Sequence, residues 1–181
     1  TQEEFSLLLE DAAALLDAGG DAVVSGFLTA EGDLDQQRTG ALVDLCRRRG
    51  RRFTLHRAFD MCRDPFAALE QCGLLGVDTV LTSGQANSCV EGLPLLERLW
   101  PRRGRVELLL GAGVDAAAIR QVRQRLPEAR AFHMSGKITL ESPMTYRKER
   151  VSMGLPGFDE YTLWRADPEK IRAAGKELRN R

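Results

Sequence analysis

Two periodicities alternate along this chain, and the alternation limits the available folds more than any other feature. Residues 3–16 repeat apolar side chains at helical spacing, with Phe5, Leu8, Leu9, Ala12, Leu15 and Leu16 on one stripe before Gly19-Gly20. A short apolar run follows at 22–28 and predicts a strand. The pattern then repeats. Strands are expected at 53–59, 77–82, 106–110 and 129–134, and helices at 33–49, from Asp64-Pro65 to about 75, at 88–99 and at 115–126. Asp64-Pro65 supplies an N-cap and a proline at the first helical position. Residues 137–167 read as irregular, with "SPMTYRKERVSMGLPG" a loop or tail. Asp167-Pro168 then opens a last helix carrying Ile171 and Leu178.

Strands separated by helices imply a parallel sheet with helices outside. No Gly/Ser-rich linker or composition shift interrupts the chain, so residues 1–181 are expected to form one domain. Two α/β architectures fit: an open five-stranded doubly wound sheet, or part of a TIM-type (β/α)8 barrel. The barrel usually needs about 250 residues. The first element here is a helix with no strand before it, and five strands cannot close that barrel. On the barrel reading the first three strands, on the order of 70 residues, are missing at the N-terminal side.

The charge balance excludes some partners. Twenty-six basic residues offset twenty-six acidic ones, so there is no strong field for nucleic acid or an anionic membrane. The basic runs at 47–49, 51–52 and 102–103 fall near helix ends, where cations complement the helix dipole. No window approaches the roughly 20 apolar residues of a membrane span, and no secretory signal is visible from Thr1 onward. Cys46, Cys62, Cys72 and Cys89 include no C-x-x-C pair, which favours reduced thiols and a cytoplasmic location.

The polar residues gather at strand ends. Along 53–56, Phe53 and Leu55 share one face and Thr54 and His56 the other. Along 131–135, Phe132 and Met134 oppose Ala131, His133 and Ser135. The bulky sets should meet the helices, leaving His56 and His133 on the other face at carboxyl ends, the active-site side of a barrel. These are the only two histidines. Either is a candidate general acid or base. Arg57 would fix an anion, or point outward. Asp60 would complete the catalytic group, or cap a turn. Thr82, Ser83, Gly84 and Gln85 offer hydrogen bonds at another strand end. Gly111, Gly113, Ser135, Gly136 and Lys137 stand where barrels often hold phosphate.

The segments "TLHRAFDMCRDP", "VLTSGQ", "GAGV", "FHMSGK" and "SPMTYRK", in that order, resemble the CutC copper homeostasis family. The resemblance implies a TIM-type barrel, a cytoplasmic protein, a homo-oligomer, and copper as cargo or cofactor, bound as Cu(I). Cu(I) prefers thiolate and thioether ligands, which makes Cys62, beside the His56 rim, the candidate metal ligand. The thiols otherwise fall on separate elements. Two expectations follow: a copper homeostasis protein binding Cu(I), or an enzyme acting on a small anionic or phosphorylated metabolite at the barrel mouth.

Overall fold

The structure is a computed structural model that describes residues 1–148, 150–151, 153–154 and 159–179. Six α-helices are present among the described residues: α1 Gln2–Asp17, α2 Gln36–Arg48, α3 Pro65–Leu75, α4 Leu93–Leu99, α5 Ala116–Arg125 and α6 Pro168–Arg179. Four strands, β1 Ala22–Ser25, β2 Arg52–Leu55, β3 Thr79–Thr82 and β4 Glu107–Leu110, form a parallel sheet in sequence order. The expected α/β alternation is thus present, with shorter strands. The helix starts follow the sequence signals. Asp35, Asp64 and Asp115 each cap a helix by accepting a backbone N–H in its first turn. Gly76 closes α3 in the left-handed conformation, at φ 81°.

Three expected elements differ. The run at 53–59 leaves the sheet after Leu55, and Arg57–Met61 coils into a 3-10 turn. Residues 129–134 make a single parallel bridge, Leu110 with Phe132, rather than a full strand. The irregular stretch at 137–167 contains an antiparallel pair, β5 Lys137–Glu141 with β6 Thr162–Ala166. Part of the loop expected there, at 149, 152 and 155–157, lies outside the described residues.

The sheet has two unlike faces. Phe53, Leu55, Val80, Leu108 and Leu110 are buried under the helices. On the opposite face Thr54, Thr79, Leu81 and Leu109 are half-buried, and Val24 is 60% exposed. The sheet also has a free edge. The Asp21 and Ser25 carbonyls accept the Arg52 and His56 amides. Alternation along a strand therefore turns the backbone groups of Ala22 and Val24 outward, where no strand among the described residues pairs with them.

Candidate functional site

The carboxyl ends of β2 and β3 are tied together by one carboxylate. The turn at Arg57–Met61 carries Asp60 back under the end of β3. Asp60 Oδ1 accepts the Thr82 hydroxyl at 2.6 Å and the Ser83 and Gln85 amides, both at 3.1 Å. Oδ2 accepts Arg57 Nε at 2.7 Å, the Ser83 amide at 2.9 Å and the Ser83 hydroxyl at 3.0 Å. The Asp60 side chain is 5% exposed. Burial by itself raises its pKa. The hydrogen bonds from Thr82, Arg57, Ser83 and Gln85 outweigh that and hold the carboxyl below its usual value.

This clasp corrects several expected roles. Asp60 is saturated with donors and is an anchor rather than a free acid or base. Thr82 is fully buried, and its hydroxyl also accepts the Gly84 amide at 2.9 Å. Ser83 is fully buried, accepting from Arg57 Nη2 at 2.7 Å, with its oxygen 2.6 Å from the Ala86 carbonyl. Gly84 is wedged against Gly92, where an added Cβ would come within 2.5 Å of the Gly92 carbonyl oxygen. The polar groups of these four named here are engaged within the chain. Gln85 holds a left-handed backbone (φ 57°) because its amide is taken by Asp60 and its Nε2 donates to the Cys62 carbonyl at 2.6 Å.

What remains open is a line of groups along the uncovered face. His56 caps the turn: its Nδ1 accepts the Ala58 amide at 3.1 Å. The ring proton therefore sits on Nε2, which has no protein partner among the described residues and acts as a donor. Gly26 makes room for this ring, since an added Cβ would lie 2.8 Å from Nδ1. Gly26 belongs to the small strand end "SGFL" that the sequence shows, but its partner was not readable there. Arg57 is 44% exposed, with Nε and Nη2 engaged by the clasp. His133 is exposed after the Phe132 bridge, and Gly111 sits beside it and Leu81. β3 and β4 separate the two histidines, so they lie about 14 Å apart at roughly 4.8 Å per strand step. Gly113 and Ser135 are exposed near the same end.

Gly136 and Lys137 leave the line. Gly136 is buried against Ile171 of α6 and its carbonyl accepts the Asp167 amide at 2.8 Å. Lys137 starts β5, with its Nζ 3.9 Å from the Trp164 ring centroid.

The thiols do not suit a soft metal. All four are buried. Cys62 lies beneath the clasp, its Sγ 3.5 Å from Gln85 Nε2. Burial, with the Asp64 and Asp60 charges behind it, pushes its pKa up to about 11. Burial pushes Cys72 up to about 12, and raises Cys46 and Cys89 as well. No group of three or more His, Cys, Asp or Glu side chains among the described residues converges as a metal site. The four buried thiols stand on separate elements with no such cluster around them, and that placement does not fit a preformed thiolate site for Cu(I).

Among the described residues no helix is long and apolar enough to cross a membrane. A family model, that of the CutC family, matches residues 1–138. A CutC family protein of Vibrio vulnificus is 37% identical over 164 residues, covering 90% of this chain and 65% of the relative. One from Mesorhizobium japonicum is 41% identical over 175 residues, covering 96% of this chain and 67% of the relative. The human copper homeostasis protein cutC homolog is 37% identical over 164 residues, covering 90% and 59%. The chain spans 65% of the Vibrio vulnificus relative and 66% of a Vibrio campbellii one. A crystal structure bearing the CutC name, from Streptococcus agalactiae, superposes with a TM-score of 0.66 at 24% identity, covering 73% of this chain and 64% of that one. That likeness concerns the fold.

Proposed function

The chain belongs to the CutC family, and from that premise we propose that it serves copper homeostasis through a small anionic ligand held on the uncovered face, rather than by thiolate capture of Cu(I) in this portion. The reading includes a cytoplasmic protein whose parallel sheet forms part of a (β/α)8 barrel, with 1–181 a single incomplete domain. Every candidate rim residue lies within the matched residues 1–138.

The observation that carries the reading is the state of His56. Its Nδ1 is occupied by the Ala58 amide, so Nε2 presents a proton and not a lone pair. A donor of that kind suits an oxyanion and not a metal ion. Arg57 adds positive charge at the same end, and the clasp through Asp60 fixes its direction. His133 stands on the same face three strand steps away, at a distance that fits the two ends of a small metabolite better than one shared atom.

A second, enzymatic reading has the same observation behind it. A neutral imidazole that presents Nε2–H can also donate a hydrogen bond to an oxyanion that forms on a bound molecule during reaction. In that case His56 and His133 work at opposite ends of the bound molecule, and Arg57 holds its charged group.

Copper tolerance of a host expressing the chain tests the reading. His56→Ala and His133→Ala should abolish the protection conferred, and Cys62→Ser should leave it intact. The reverse pattern would return the function to sulfur.

A further inference from the structure

Two glycines at strand ends each lie against a neighbour's side chain. An added Cβ on Gly26, just after β1, would sit 2.8 Å from His56 Nδ1 and 3.0 Å from its Cε1. An added Cβ on Gly111, just after β4, would sit 2.8 Å from Leu81 Cδ1. His56 therefore leans toward the end of β1, and Leu81 leans toward the end of β4, where Gly111 is buried. Both leanings depend on the missing Cβ, since a side chain at either glycine would push its neighbour back toward the middle of the sheet.

The strand order makes these leanings opposite. His56 follows β2 and Leu81 belongs to β3, and the two strands are adjacent. Their side chains part, and a slot opens between them on the uncovered face. Its two walls differ in chemistry. One is an imidazole that presents Nε2–H, because the Ala58 amide occupies Nδ1. The other is the half-buried hydrocarbon of Leu81. Arg57 stands at the His56 side, with Nε bonded to Asp60 and Nη2 to Ser83 and the Ala86 carbonyl. Its Nη1 has no partner among the described residues. Donors thus gather on one side of the slot and apolar surface on the other.

We propose that this slot selects an organic anion whose charged group is joined to an apolar body about the size of a phenyl ring, and that Leu81, drawn aside by Gly111, determines that selection. This rests on the anionic-ligand reading above and narrows it. A bare inorganic anion would pair with His56 and Arg57 but leave Leu81 facing water. An uncharged apolar molecule would cover Leu81 but leave the donors unpaired, at a cost. An anion with an apolar body satisfies both walls. Carboxylates and phosphate monoesters share the chemistry that the donors recognise.

A chemical-shift titration of the 181-residue chain with two pairs of probes tests this: inorganic phosphate with phenyl phosphate, and acetate with benzoate. In at least one pair the aryl member should bind about tenfold tighter, the gain expected from taking roughly half of a phenyl ring's surface out of water. Which pair shows the preference tells a phosphate ester from a carboxylate. Leu81→Asn should abolish the preference, and Leu81→Met should keep it. Gly111→Ala should reduce it, because the new Cβ drives Leu81 into the slot. Melting curves check that each variant folds; if Leu81→Asn does not, Gly111→Ala decides. Equal affinities within both pairs, or a wild-type preference in a folded Leu81→Asn or Gly111→Ala chain, would overturn the inference and leave the anion reading standing. Binding of none of the probes would overturn both.

Discussion

Asp60 accepts the Thr82 hydroxyl at 2.6 Å, joining the turn after β2 to the end of β3 across 22 residues of sequence. The same carboxylate takes two amides from the residues that follow Thr82, Ser83 and Gln85. A side chain that looked like an active-site acid is what shapes the rim on which the exposed groups stand.

Removing that carboxylate should be costly. Asp60→Ala leaves the Thr82 hydroxyl and two amides without their acceptor, at about 1 kcal/mol or more each. We expect a loss of about 3 kcal/mol in urea unfolding. A loss within 0.5 kcal/mol, the range of about ±0.5 usual for a surface change, would contradict the clasp.

The clasp also carries a pH signature. The folded-state pKa of Asp60 lies below its unfolded value. Its stabilisation is then complete above the unfolded value, about 4, and is lost as pH falls through the lower folded one. Stability measured downward from about pH 4 should fall less steeply in Asp60→Asn than in the wild-type chain. Parallel curves would remove Asp60 from the account.

Gly26 is expected to be intolerant of any side chain. A Cβ there would lie 2.7 Å from Leu55 Cδ1 and 2.8 Å from His56 Nδ1. Gly26→Ala should cost about 1–3 kcal/mol as overpacking and break the Ala58 amide bond to His56. Nitrogen chemical shifts of the imidazole should report the change of tautomer. Unchanged shifts would mean that the ring does not depend on Gly26.

The thiols should be silent at neutral pH. Cys62, with a pKa of about 11, and Cys72, at about 12, stay protonated and buried. Ellman reagent should label them slowly in the folded chain and fully in denaturant. Because the folded pKa of Cys62 is raised, its stability contribution holds below the unfolded value, about 8.5, and is lost as pH rises toward about 11. Rapid labelling of the native chain at pH 7 would contradict the burial.

Much of the architecture was readable because it rests on local chemistry. Caps such as Asp64 with Pro65, and the left-handed Gly76, act over a few residues. The β5–β6 pair has no signature in the sequence, because Glu141 and Thr162 stand too far apart for the short hairpin loop that spacing reveals. The alternation that sorts Thr54 and His56 from Phe53 and Leu55 was also readable, and β2 keeps it. Which polar groups at the strand ends are spent on one another was not. That depends on the reach of Asp60 to Ser83 and Gln85, a tertiary contact with no signature in spacing.

The free edge of β1 gives a test of the barrel. Amides of Ala22 and Val24 should exchange with solvent far faster than those of Thr54 and Val80. An amino-terminal extension carrying three further βα units should slow them and yield a compact species by light scattering. Slow exchange in the chain as it stands, with a stable monomer and a cooperative melt, would favour the open doubly wound sheet.

The most direct test of the account is a competition titration of the chain with Cu(I), repeated on Cys62→Ser. The account predicts weak binding that Cys62→Ser leaves unchanged, because the thiol is buried beneath the clasp and no group of three or more ligating side chains among the described residues converges on it. Tight, stoichiometric Cu(I) binding that is lost on Cys62→Ser would contradict it.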